Sequence, residues 1–298
     1  VTSPNAGVSI RAPAWGATGC YCKSAGGVHV SIRAPAWGAT YSTPSRDDDR
    51  IEVRVAAREA SPIRHIVPLT NLLILTGSAE WNVNTQNSDV LTNTTISISP
   101  HSYVGANNVQ PVIVNSSVIY CAARGGHVHE LAYSRDAGGF ITADISLRAP
   151  HLFDGHRIVD MAFGKAPLPL VWFISSDGRL LANTYVPEQQ IGAWHWHDTN
   201  GVFESCAVVA EGDEDMLYVA VRRNINGQTK RYIERLESRA FGAQENAFFV
   251  DSGLSYNGMP VKTLKQLGHL EGKTVSILAD GAVHVPQTVT NGEIHLQH

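Results

Sequence analysis

Cysteine is scarce in this chain of 298 residues, which carries four: Cys20, Cys22, Cys121 and Cys206. Thiols so few and scattered cannot build the disulfide framework of a small secreted domain, and Cys20 with Cys22 is C-x-C rather than C-x-x-C. They read as reduced thiols. Long apolar runs are missing too, none approaching the roughly 20 residues that span a bilayer as a helix. The N-terminus lacks the basic start and apolar stretch of a secretory signal, so a soluble protein without stable membrane insertion is expected. A basic patch for gripping DNA phosphates is also missing. The one short group, Arg222, Arg223, Lys230 and Arg231, has acids nearby, so sequence-specific nucleic-acid binding is not expected. No G-x-S-x-G, H-E-x-x-H or G-x-x-x-x-G-K occurs. What is present is an ordinary globular balance, 43% hydrophobic and 17% charged, long enough for a sizeable core.

The charge is uneven. The first forty residues hold Arg11, Lys23 and Arg33 and no acid, leaving 20 Lys and Arg against 27 Asp and Glu in the remainder. The same segment repeats VSIRAPAWGAT letter for letter, at Val8 to Thr18 and Val30 to Thr40. Structural repeats diverge at the surface and agree mainly in the core. Identity this strict, with an unrelated insert between the copies, points to the DNA instead. A constant unit followed by a unique spacer of similar length is the layout of a CRISPR array, and the string resembles the translation of a GC-rich CRISPR repeat. Residues 1–43 therefore read as translated array. Pro13, Pro35 and several glycines, with no amphipathic period, predict a mostly unstructured arm.

The body alternates with a period of two and is rich in β-branched and aromatic residues. IVPLTNLLILT, PVIVNSSVIYCAA, HVHELAYS, LVWFISS, LLANTYV, ESCAVVA, MLYVAVRR and KRYIERL read as strands. Turn signals stand between them at Asn115-Ser116, Gly125-Gly126, Asp177-Gly178 and Asn226-Gly227. A divergent repeat then emerges: apolar strand, turn, second strand with a Tyr, beginning at Val118, Val171 and Leu217. Each of the last two copies follows another strand, as in blades of a β-propeller. The expected fold is all-β: an unstructured arm over 1–43, propeller blades over 44–248, and a small β module over 249–298. The last residues read as a strand in progress, which predicts a truncated C-terminus.

Candidate chemistry is thin. His127 with His129, and His195 with His197, alternate on strands, so each pair shares a face that could hold a metal, but no third ligand stands out. The acidic run from Glu211 to Asp215 lacks the spacing of a calcium loop and reads as a solvated hairpin. Cys206 alternates as a core or inter-blade residue. No metal, cofactor or catalytic residue is assigned. A propeller glycosidase would need paired carboxylates, for which Asp160, Asp177 and Glu204 are the candidates.

The run from VPLTNLLILTGSAEW through YVPEQQIGAWHWHDT to KRYIERLE resembles structural proteins of tailed bacteriophages and prophages, similar to tail tubular or nozzle proteins. The resemblance covers residues 45–298. It implies a propeller platform forming a six-fold ring below the portal and adaptor, with genomic DNA only as passing cargo, located in the virion and without catalysis. Some relatives carry a label for a ubiquitin-activating-enzyme FCCH-like domain, which falls here on Asp251 to Leu296 and implies a small β barrel. The N-terminal blades and the C-terminal closure of such proteins are missing, which bears on ring assembly. Contacts between subunits are expected at loop tips Val186, Pro187, Glu188, Gln189 and Gln190, and Trp194, Trp196 and Asp198. The competing expectation is that both tryptophans belong to inter-blade core. A glycan-binding or glycan-hydrolysing phage protein and a non-functional prophage fragment are the alternatives.

Overall fold

The computed structural model describes residues 61–296 apart from 89, 93, 190, 239, 241 and 243–249. Before them it describes residue 59 and three strands: β1 (Val8–Arg11), β2 (Val28–Arg33) and β3 (Ile51–Val55). The chain is all-β, and no helix among the described residues is long and apolar enough to cross a membrane. β1 and β2 carry the identical VSIR segments and pair in parallel register, Val8 with Val30 through Arg11 with Arg33. β2 pairs antiparallel with β3, so this sheet straddles the expected boundary at residue 43. The rest of the expected arm lies outside the described residues.

Four antiparallel sheets follow in chain order. Blade I comprises β4 (Ile63–Pro68), β5 (Leu72–Thr76), β6 (Glu80–Thr85) and β7 (Ile96–Ser102). Blade II comprises β8 (Val112–Val114), β9 (Ser117–Cys121), β10 (Val128–Ser134) and β11 (Gly139–Asp144). Blade III comprises β12 (Ile158–Gly164), β13 (Leu170–Ser175), β14 (Leu180–Val186) and β15 (Ile191–His197). Blade IV has three strands: β16 (Val202–Glu211), β17 (Glu214–Ile225) and β18 (Gln228–Arg235). Each strand pairs with the next in sequence, and the first strands of blades II, III and IV lie against one another. This is a partial propeller. The repeat read from the sequence is the hairpin of second and third strands in blades II, III and IV.

The central strands β9 and β13 are buried on both faces, because side chains alternate across a sheet and blades II and III are each covered on both sides. In β9, Val118 and Tyr120 pack towards Val67, Leu73 and Leu75 of blade I, whereas Ile119 and Cys121 pack towards Met161, Val171 and Phe173 of blade III. In β13, Val171 and Phe173 face blade II, while Trp172 and Ile174 face Phe203, Leu217, Val219 and Val221 of blade IV. β17 differs. Leu217, Val219 and Val221 are buried against blade III, but Tyr218, Ala220 and Arg222 between them remain partly or fully exposed.

Turn chemistry explains the hairpins. Asn226 and Gly227 both take positive φ, as do Asp280 and Gly281, the two-residue geometry that matches strand twist. At Asp177-Gly178 only Gly178 is positive, and the connection is longer than two residues because β13 ends at Ser175 and β14 starts at Leu180. Gly178 also permits close approach: a Cβ there would lie 2.6 Å from Val202 Cγ1, and its carbonyl accepts the Phe203 N–H at 3.0 Å. IVPLTNLLILT, expected as one strand, is two, β4 and β5 paired as a hairpin.

The C-terminal module holds β19 (Thr263–Leu264), β20 (Thr274–Ala279), β21 (Ala282–Thr288) and β22 (Ile294–His295). β19 pairs with β22 and β20 with β21, giving two small ladders rather than one closed barrel. Leu267, Ile277, Val289 and Ile294 form their shared core.

Candidate functional site

The residues expected at an interface lie on the outer edge of blade III, but not all in loops. Pro187, Glu188 and Gln189 form an exposed 3-10 turn between β14 and β15, with Val186 half-buried before it. Gln190 lies outside the described residues. Trp194 and Trp196 sit within β15, and Asp198 follows it exposed. Trp194 is core: its ring meets Phe153 at 4.8 Å and Phe173 at 5.2 Å between centroids, and its Nε1 donates to the Ile145 carbonyl at 2.9 Å. The loop-tip expectation fails for Trp194 because β15 extends the sheet and turns that indole into the core between blades II and III. Trp196 is 49% exposed, and the Arg179 guanidinium lies 5.8 Å from its ring centroid. Ile191 is exposed on the same strand, and Trp and Arg are residue types enriched at interface hot spots.

The histidine pairs do share faces. His195 and His197 stand with ring centroids 5.2 Å apart beside Trp172. His127 Nδ1 approaches Asp144 Oδ2 at 2.8 Å, and His129 Nε2 approaches the same oxygen at 3.9 Å. Among the described residues no group of three ligating side chains is placed to hold a metal. Ser146, His127 and Asp144 are close, which sequence spacing did not single out, but they do not form a nucleophilic triad. Ser146 Oγ and Asp144 Oδ2 crowd the same ring nitrogen, Nδ1, at 3.0 and 2.8 Å, and the carboxylate on the opposite nitrogen, Asp154 Oδ1, stands 3.6 Å from Nε2, beyond the hydrogen bond a triad requires. Ser146 is also fully buried, and its hydroxyl and N–H both donate to Asp144 Oδ1. Burial pushes the Asp144 carboxyl up, but the bonds from Ser146 and His127 outweigh it and hold the group below its ordinary value.

No protein-family model matches this chain, and no curated protein shows significant similarity to it.

The three candidate carboxylates each have a structural partner. Asp160 Oδ2 accepts the Cys206 N–H at 2.9 Å, tying β12 to β16. Asp177 receives Arg179 Nε at 2.5 Å; burial pushes its carboxyl up, but the Ser175 hydroxyl and Arg179 pull it below its usual value. Glu204 takes Arg231 at 2.7 Å and Arg222 at 3.0 Å, and Arg231 foremost holds it low. A glycoside hydrolase needs one carboxyl held protonated, the opposite direction from that of Asp177 and Glu204. Cys206 packs against the core between blades III and IV, as its alternation predicts, and burial pushes its thiol up and away from nucleophile character.

One cluster escaped sequence reading. Glu80 is fully buried between blades I and II, where its carboxylate accepts from the Ser102 hydroxyl, and Thr142 of blade II donates to Ser102 Oγ at 3.2 Å. The buried Tyr120 hydroxyl is pushed up by burial and then by the Glu80 charge. A second Glu–Tyr contact joins blades II and III, the Tyr185 hydroxyl donating to Glu130 Oε1, which also accepts from Ser117 at 3.0 Å.

Proposed function

We propose that this chain is a structural subunit of a bacteriophage tail, of nozzle or tail-tubular type, which self-associates into a ring and forms part of a DNA conduit below the portal. Its partners are then further copies of itself and the portal-adaptor proteins, and it is assembled in the bacterial cytoplasm into the virion. The observation that carries the reading is the rim of blade III, where Ile191, Trp196 and Arg179 stand on a stacked-blade platform. The resemblance of residues 45–298 to tail proteins supplies the biological setting. A formal net charge of −4 suits a conduit that lets DNA pass without gripping its phosphates.

Sedimentation velocity and negative-stain microscopy of the purified chain test the proposal. The expected species is a closed oligomer that Trp196→Ala and Arg179→Ala convert to monomers. A wild-type chain that stays monomeric at every concentration would sink the rim contact. Its absence from purified tailed particles made by an encoding host would sink the tail assignment.

A further inference from the structure

Three histidines line the seam where blades I and II pack together, one each from β4, β7 and β10. His65 Nε2 lies 2.8 Å from the Asn107 carbonyl oxygen, joining blade I to the segment that leads into blade II. His101 sets its ring edge-on to Phe140 of blade II, with centroids 6.0 Å apart. His129 lies beside Tyr120, with ring centroids 5.9 Å apart, and its buried Nδ1 makes no hydrogen bond. The same seam holds the buried Glu80 and its relay through Ser102 to Thr142.

We propose that this seam is an acid-sensitive joint: protonation of His65, His101 and His129 loosens blade I from blade II while the apolar core between blades II and III holds. The charges around each ring set the direction. Burial is the largest influence on all three and holds each below the ordinary imidazole value of 6.5. Around His65 the Asn107 carbonyl favours the cation and Arg64 opposes it. Glu80 favours the cation at His101. Asp144 and Glu80 favour it at His129, and His127 opposes it. Burial outweighs these attractions at every site.

A base whose folded value is depressed takes up its proton more readily when the seam is open. The seam is therefore fully stable above about 6.5 and weakens as pH falls through that value, by up to about tenfold per pH unit for each proton taken up. Asp144, held below 3.8, stays charged through this window and does not cancel the effect.

Segment-resolved hydrogen exchange on the full chain at about pH 8 and about pH 5, corrected for intrinsic rates, tests the joint. Peptides covering β4 to β7 and β9 to β10 should lose protection on acidification, by up to about tenfold per pH unit for each proton taken up, and those covering β17 and β18, strands without histidine, should not. The triple variant His65→Gln, His101→Gln, His129→Gln should flatten that response. An unchanged seam, or equal loss in all blades, overturns the proposal. Should the variant fail to fold, titration of the wild-type imidazoles by NMR decides: midpoints below 6.5 at all three support the joint, and midpoints at or above it refute it.

Discussion

Adjacent residues of one strand hold different blades together here, so single truncations should cut the series at chosen places. Phe173 and Ile174 of β13 are both fully buried, Phe173 in the core shared with blade II and Ile174 in the core shared with blade IV. Phe173→Ala removes a ring packed against Trp194 and among Ile119, Phe153 and Leu181, and should cost about 3–5 kcal/mol. Ile174→Ala should cost about 2–5 kcal/mol, drawn from Leu217, Val219 and Val221. Urea unfolding gives the totals, and hydrogen exchange gives the location. Phe173→Ala should deprotect β9 and β10 together with blade III, whereas Ile174→Ala should deprotect β17. Losses below about 1 kcal/mol, or the same exchange pattern in both variants, would refute two-sided stacking, since surface substitutions alone fall within about 0.5 kcal/mol.

Gly126 takes φ +75, and a Cβ there would meet the His156 carbonyl oxygen at 2.0 Å, so Gly126→Ala should destabilise by about 2 kcal/mol or more in thermal melts. Cys121 and Cys206 are held as thiols by burial, so iodoacetamide at neutral pH should leave both unmodified in the native chain and label both in urea, read by mass spectrometry. Trp196→Ala, exposed at the rim, should change stability by less than about 1 kcal/mol while abolishing self-association, which separates interface from core.

The hairpins of blades II, III and IV were legible because runs rich in β-branched and aromatic residues flank Gly-Gly, Asp-Gly and Asn-Gly turns, which report local geometry directly. Blade I was not read as a blade. The LLILT of β5 is buried on both faces and so does not alternate, which made β4, its turn and β5 look like one apolar run. The outer strands β7, with ISISPHS, and β11, with GFITAD, are only partly buried and carry weak patterns. Trp194 and Trp196 have the same spelling and spacing relative to a strand, and nothing local says that one meets Phe153 and the other meets Arg179. Glu80 was invisible for a related reason. A carboxylate in sequence reads as solvated, and nothing local says that the Ser102 hydroxyl, directly opposite on the neighbouring strand and itself bonded by Thr142 of blade II, will donate to it inside the seam.

The face of blade IV turned away from blade III carries a lattice of ion pairs. Glu204 with Arg222 and Arg231, and Glu211 with Arg235 and Tyr218, cross-brace it around the exposed Ile233. Stacked sheets have no inherent stopping point, and an oily terminal face would invite another sheet, then another, into an endless rod. Covering this face means stripping water from several ions at once, with paired guanidinium groups already satisfied by their own glutamates. Face-on piling is thereby disfavoured, which leaves the rim as the place where the proposed self-association would form.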